Sequence, residues 1–318
     1  MQQYGKLEKI MSNFVTKMFY KQREEFETSA RIRDSKLPFP ETVEEQKDIR
    51  YASDSCEAHR YDKFRPKGRE GEVLPVIINV HGGGLLLGSK EFNRFYCARL
   101  CEMGYLVYSV EYRLVPDCLF FDQLADVFQA MDYIKEQIKA DGGDSNLVYG
   151  VADSGGACLL MYATAMQKNK KLAAAAHVTP SALHCRALGF ISGMFYTNRH
   201  DKIGMFLPRY LYGADYKKSG FAPYINPEHK DIVTSLPSCF LVTSHNDHLE
   251  KYTLDFTKAL ERYHKPYQMV NYPKNKVLTH AFSVFDPYLE ESTQAMKSMV
   301  QFFNKINRVH KEEISHEL

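Results

Sequence analysis

Leu147-Val148-Tyr149-Gly150-Val151-Ala152-Asp153-Ser154-Gly155-Gly156 is the stretch from which the fold of this chain is read. Its first half is a short apolar run of the kind that forms a buried strand. From Ala157 to Gln167 the pattern turns helical. Between the two stand five small or short residues, Ala152 to Gly156. Strand, sharp turn and helix in direct succession would project the Ser154 hydroxyl outward from a strained backbone. Gly155 and Gly156 are the small neighbours that such a turn needs. Taken alone, a small-residue turn of this kind can also be plain packing between a strand and its helix.

The same alternation extends in both directions. Val76-Ile77-Ile78-Asn79-Val80 is β-branched and ends at His81 and three glycines. Tyr105 to Val110 is the next apolar run. Asp122 to Ala140 carries Leu124, Val127, Phe128, Met131, Ile134 and Ile138 as one helical stripe. Ala187–Ile191, Phe240–Thr243 and Tyr267–Tyr272 read as strands, and Leu254–Tyr263 as a helix. Ala295, Met299, Phe303 and Ile306 lie on one face of a C-terminal helix. Asp48 to Tyr61 is expected to hold two antiparallel strands. This order predicts an α/β chain whose mostly parallel sheet is flanked by helices. Residues 1–318 are read as one domain. Two segments interrupt the alternation, at about 1–45 and 195–236. The first is amphipathic and helical. The second is rich in Tyr, Phe, Pro and Gly. Phe14, Phe19, Tyr20, Phe206, Tyr210, Tyr212 and Phe221 argue against disorder in them. Both are expected to form a helical cap over the carboxyl edge of the sheet, where ligands of such folds bind.

Composition narrows the classes. The 318 residues carry 41 basic and 39 acidic side chains, a net charge of +2. No global field collects nucleic acid or a membrane surface, so neither is expected as a partner. No run reaches membrane-spanning length, and no secretory signal is read in Met1–Phe26. The seven cysteines, Cys56, Cys97, Cys101, Cys118, Cys158, Cys185 and Cys239, are scattered and form no C-x-x-C pair. Cys97 and Cys101 share a helix face and read as packing residues. Free thiols suggest a reducing cytoplasm.

Two further signals carry chemistry. His81-Gly82-Gly83-Gly84 follows a strand, and its glycines let backbone N–H groups approach an oxyanion closely. With the N–H of Gly155 they would form an oxyanion hole from Gly83, Gly84 and Gly155. Asp247 follows one predicted strand and His280 a later one, in the chain order Ser154, Asp247, His280. A serine nucleophile needs a histidine base, and that base needs a carboxylate to fix its tautomer. His245 and His248 flank Asp247 and are rival bases. A base adjacent in sequence to its own orienting acid could hardly also reach Ser154, so His280 is preferred. A metal reading of His245, Asp247 and His248 competes, but their spacing matches no usual zinc pattern. No metal and no cofactor is therefore expected. Neither a phosphate-binding loop nor a dinucleotide fingerprint occurs.

The chain resembles the hormone-sensitive-lipase-like esterases, the bacterial acetyl-esterase and lipase group within the α/β hydrolases. The resemblance runs from about His81 to Phe282. It rests on His81-Gly82-Gly83-Gly84, Glu111-Tyr112-Arg113-Leu114-Val115-Pro116, Asp153-Ser154-Gly155-Gly156, Asp247-His248-Leu249 and His280-Ala281-Phe282. In family form these read HGGG, DYRLAPE, GDSAGG, DPL and HGF. The resemblance implies an eight-stranded α/β-hydrolase fold with a helical cap. It implies a cofactor-free serine carboxylesterase for short-chain acyl esters of small molecules. Ser154 would be the nucleophile, Asp247 the acid, His280 the base, and Gly83, Gly84 and Gly155 the oxyanion hole. It also implies a possible homodimer. Ala152, Glu111, His248 and Ala281 depart from the family's Gly, Asp, Pro and Gly, and none of them removes a catalytic group. Glu111 and Arg113 are expected to form a structural ion pair or loop clamp. A catalytically inactive ligand-binding relative stays open, as does hydrolysis of an amide, a lactone or an acetylated sugar.

Overall fold

The computed structural model describes residues 2–317, with the side chains of 14–308 other than 202 and 206. Phe206 and the start of the 1–45 segment thus lie outside the described side chains. In chain order the elements begin with helix α1 (Gln2–Asp34), strands β1 (Val43–Arg50), β2 (Arg60–Pro66) and β3 (Leu74–Val80), helix α2 (Arg94–Glu102), β4 (Leu106–Val110) and α3 (Phe120–Gln137). There follow β5 (Gly143–Asp153), α4 (Ser154–Lys168), α5 (Lys170–Ala176), β6 (Ala187–Ile191), α6 (Lys202–Tyr212) and α7 (Lys230–Val233). The chain closes with β7 (Ser238–Ser244), α8 (Glu250–Arg262), β8 (Tyr267–Tyr272), α9 (Phe282–Phe285) and α10 (Glu290–Glu317).

The eight strands form one sheet in the order β1-β2-β4-β3-β5-β6-β7-β8. Neighbours from β4 to β8 pair in parallel, while β2 is antiparallel to both β1 and β4. The mostly parallel sheet read from the sequence is therefore the one observed. Central strands such as β3 are apolar on both faces because helices cover both sides. Ile78 and Val80 join one core cluster with Leu124, Leu159 and Phe256. Ile77 points the other way, into a cluster with Cys97, Leu100, Met299 and Phe303. The period-two alternation of the strand thus assigns α3, α4 and α8 to one layer and α2 and α10 to the other. Cys97 and Cys101 are packing residues of that second cluster.

The N-terminal region differs from expectation. Asp48–Tyr61 is mostly a connection, and its strands flank it, at Val43–Arg50 and Arg60–Pro66. The register of β1 shifts between Gln46 and Ile49, where Asp48 has φ 58°. This bulge hides the alternation that would have marked the strand. Helix does not fill residues 1–45 either. It stops at Asp34, and Pro38 and Pro40 prevent its continuation before β1 starts at Val43.

α1 lies across the carboxyl ends of the strands. Phe26 stacks on Phe92 with centroids 4.2 Å apart, and Phe19 meets Tyr210 of α6 edge-on at 5.2 Å. Arg33 sits over the rings of Phe92 and Phe285. The segment from 195 to 236 is anchored from below. Tyr212 and Phe221 pack with Phe120 of α3 and Tyr162 of α4, and Tyr212 and Phe221 are both buried.

Candidate active site

β5 ends at Asp153 and α4 begins at Ser154 without an intervening loop. The reversal is sharp enough to force Ser154 to φ 44°, a left-handed backbone that side-chain-bearing residues rarely adopt. A Cβ on Gly155 would lie 2.8 Å from the backbone nitrogens of Gly84 and Leu85. A Cβ on Gly156 would lie 2.3 Å from the carbonyl oxygens of Val80 and His81. The two glycines are therefore required by the loop after β3, which rests directly on the turn. Ala152 needs no glycine. It sits in β5, paired with Val80 on one side and Phe190 on the other, with its methyl buried.

That loop is wound tightly. Gly83 and Gly84 have φ 110° and 62°, and the carbonyl of Gly83 accepts the N–H groups of Leu86 and Leu87. The loop brings Gly84 against Gly155 at the start of α4, where the helix dipole favours negative charge. His81, at the start of the loop, bonds to Glu111 and Gly82 rather than to Ser154. Its ring is buried, stacks on Tyr112 at 4.3 Å, and reaches Glu111 through Nε2 at 2.8 Å. Burial alone would lower the imidazole. The Glu111 carboxylate outweighs it and holds His81 above the usual histidine value.

Asp247 and His280 arrive from the ends of β7 and β8. Ser154 Oγ lies 2.9 Å from His280 Nε2, and His280 Nδ1 lies 2.8 Å from Asp247 Oδ1. Asp247 also accepts the Leu249 N–H at 2.8 Å and the Thr243 hydroxyl at 3.1 Å. Burial pushes its carboxyl up. The hydrogen bond and charge of His280, with the Ser192 hydroxyl and the Leu249 N–H, more than compensate and hold it below the usual carboxylate range. The structure thus brings Ser154, Asp247 and His280 into one chain of contacts, with Gly83, Gly84 and Gly155 beside them. Neither rival histidine stands between Asp247 and Ser154. His245 pairs with Glu250 at 2.6 Å, and His248 is exposed, its Nδ1 3.9 Å from Asp247.

Three contributors were not assigned from the sequence. Ser192, at the end of β6, is buried and accepts the Ala281 N–H, so it ties the His280 loop to Asp247. A polar residue just past a strand end was its only signal. Asp153 accepts the Gly82 N–H at 2.9 Å and the Asn93 side-chain amide at 2.8 Å, joining the serine turn to the glycine loop. Burial pushes its carboxyl up, against the pull of Asn93, His81, His280 and Gly82. Arg23 of α1 pairs with Asp117 at 3.0 Å and donates to the Val115 carbonyl. The expected partnership of Glu111 with Arg113 does not form. Arg113 pairs with Asp126 at 2.7 Å, whereas Glu111 takes His81 and the Lys90 N–H. Each is a loop clamp, but their side chains reach different elements.

Comparison with known proteins follows this geometry. The isoprenylcysteine alpha-carbonyl methylesterase of Arabidopsis thaliana is 30% identical over 114 residues, 36% of this chain and 26% of that protein. A probable isoprenylcysteine alpha-carbonyl methylesterase of Oryza sativa subsp. japonica is 27% identical over 199 residues, 60% of this chain and 47% of that protein. The chain thus spans about half or less of the length of these curated relatives. Esterase B from Lactobacillus rhamnosis superposes with a TM-score of 0.87 at 21% identity, covering 94% of this chain and 96% of that one. A hyperthermophilic esterase from Pyrobaculum calidifontis gives 0.66 at 24% identity, over 92% and 94%. The family model described as alpha/beta hydrolase fold matches residues 77–283, from within β3 to just past His280, and the chain belongs to that family.

Proposed function

We propose that this chain is a serine carboxylesterase that hydrolyses small esters with short acyl chains. One observation carries the reading: the unbroken contact from Asp247 through His280 to Ser154, with both steps under 3 Å. His280 takes the Ser154 proton as the serine attacks the ester carbonyl. The oxygen of the tetrahedral intermediate sits on the N–H groups of Gly83, Gly84 and Gly155. His280 then protonates the leaving alcohol and later activates water to release the acid. Asp247 fixes the Nδ1–H tautomer and stabilises the imidazolium. No cofactor enters these steps.

α1 and the segment from 195 to 236 act as the cap. Leu85, Leu86 and Leu87, bulky residues that follow the glycine loop, support a short acyl pocket. The names of the relatives support an ester over an amide. Seven unpaired cysteines support a reducing compartment such as the cytoplasm. Among the described residues no helix is long and apolar enough to cross a membrane.

The test uses p-nitrophenyl acetate, butyrate and a long-chain ester. Wild-type protein should prefer the first two. Ser154→Ala and His280→Ala should each lose at least about 10³-fold in kcat, because the three groups act as a unit. Equal turnover by wild type and Ser154→Ala refutes the assignment. Rapid labelling of wild type by a fluorophosphonate, absent in Ser154→Ala, separates an active enzyme from an inert ligand-binding relative.

A further inference from the structure

We propose that Asp247, His248 and His280 form an inhibitory site for a transition-metal dication, Zn²⁺ above all, which switches the active site off; the inhibitory role rests on the esterase reading above. One donor atom from each of the three residues lies within 4.8 Å of the others. His280 Nδ1 is 2.8 Å and His248 Nδ1 3.9 Å from the same Asp247 oxygen, and the two imidazole centroids are 4.5 Å apart. A tetrahedral zinc ion bound to imidazole nitrogen and carboxylate oxygen needs its donors about 3.4 Å apart, between these two separations. The side chain of His248 is 70% exposed, so it can rotate to close the difference, and it opens the site to an ion from solvent. Two imidazoles and one carboxylate suit zinc and its neighbours better than magnesium or calcium. Water can take the fourth position.

In the sequence the only nearby grouping is His245, Asp247 and His248, whose spacing fits no usual zinc pattern and from which no metal is expected. Folding replaces one member. His245 turns to Glu250, and His280, 33 residues beyond Asp247, takes its place. His248 stands where the resembling family's pattern carries proline, so the site depends on a residue that departs from that pattern.

The consequence for hydrolysis follows from the imidazole's single proton. In the metal-free site Nδ1–H donates to Asp247, and the Nε2 lone pair faces Ser154. A dication on Nδ1 occupies the position of that proton. The proton moves by way of solvent to Nε2, so the imidazole stays neutral and the proton count does not change. An Nε2–H cannot accept the Ser154 proton, and attack stops. A chelator removes the ion and restores the first tautomer.

Untagged, chelator-treated protein is titrated with Zn²⁺ during p-nitrophenyl butyrate hydrolysis, each variant scaled to its own metal-free rate. The expected result is inhibition that EDTA reverses, with the half-inhibiting concentration raised at least about tenfold in His248→Ala. Equal sensitivity of wild type and His248→Ala overturns the site. So does sensitivity that persists in His248→Ala and vanishes in Cys56→Ser. A second readout needs no hydrolysis. Co²⁺ added to Ser154→Ala protein should give the intense visible absorption of a four-coordinate ion, lost when His248→Ala is added. Its absence overturns the metal site even where esterase activity is found. Its presence in a protein whose wild type cleaves no ester leaves the ion site standing and sinks the esterase reading.

Discussion

The Nε–H of Arg23 donates to the carbonyl oxygen of Leu86 at 3.1 Å. A side chain of the N-terminal helix therefore holds the far side of the turn that begins at Gly83. The same guanidinium donates to the Val115 carbonyl, and the N–H of Val115 donates to the Leu85 carbonyl. Arg23→Met keeps the aliphatic stem and removes these donors. Its kcat on p-nitrophenyl butyrate should fall about three- to tenfold, because a small drift of the loop would misplace the proposed oxyanion donors. An unchanged kcat would mean that the loop is held without α1.

Asp153→Ala should cost stability before chemistry is considered. It orphans the buried Gly82 N–H and one N–H of the buried Asn93 amide, whose nitrogen keeps its bond to Asn79 Oδ1. Each unsatisfied donor costs about 1–3 kcal/mol, so urea unfolding should show a loss of about 2–6 kcal/mol. Asp153→Asn keeps an oxygen for both donors and should lose clearly less. If the two variants unfold alike, the carboxylate oxygen is not what joins the loop to the turn.

Ala152 and Gly156 stand four residues apart and should respond oppositely to exchange. Ala152→Gly removes one buried methyl from a paired strand, costs about 1 kcal/mol in thermal unfolding and leaves kcat within about twofold. Gly156→Ala drives a methyl into two backbone carbonyls that cannot retreat, and should yield little folded protein. Soluble, active Gly156→Ala protein would show that the glycine loop can lift off the turn.

The pH dependence of stability should carry the mark of Asp247. Its carboxyl is held low in the folded state, so below neutrality the unfolded chain binds the proton more readily. Its contribution is complete above the unfolded value of about 3.9 and is lost as pH falls through the lower, folded value. The melting-temperature gap between wild type and Asp247→Asn should stay level from pH 7 to about 5 and narrow toward pH 3. A gap that widens on acidification contradicts this.

Much of this was legible because a parallel sheet is a simple device. Its strands are continuous apolar runs, and its carboxyl ends all face one edge. Residues just past Val151, Thr243 and Tyr272 therefore meet in space although they are far apart in the chain. What stayed hidden lacks that regularity. Ser192 and Asp153 act through hydrogen bonds to backbone groups, which leave no spacing rule. Arg23 lies 63 residues from Leu86 and reaches it only once α1 has docked. The bulge at Asp48 erases the alternation of β1. Glu111 and Arg113 are close in sequence, yet their side chains diverge to His81 and Asp126.

The edge position of β8 has a consequence for when reactivity arises. β8 pairs with β7 alone, and His280 hangs from the loop that follows it. Without β8 docked, the loop that sets His280 between Ser154 and Asp247 has lost its anchor on the sheet. On the proposed mechanism, a chain from which β8 had frayed would be silent toward esters. Docking of the last strand would then be the step that arms the proposed site.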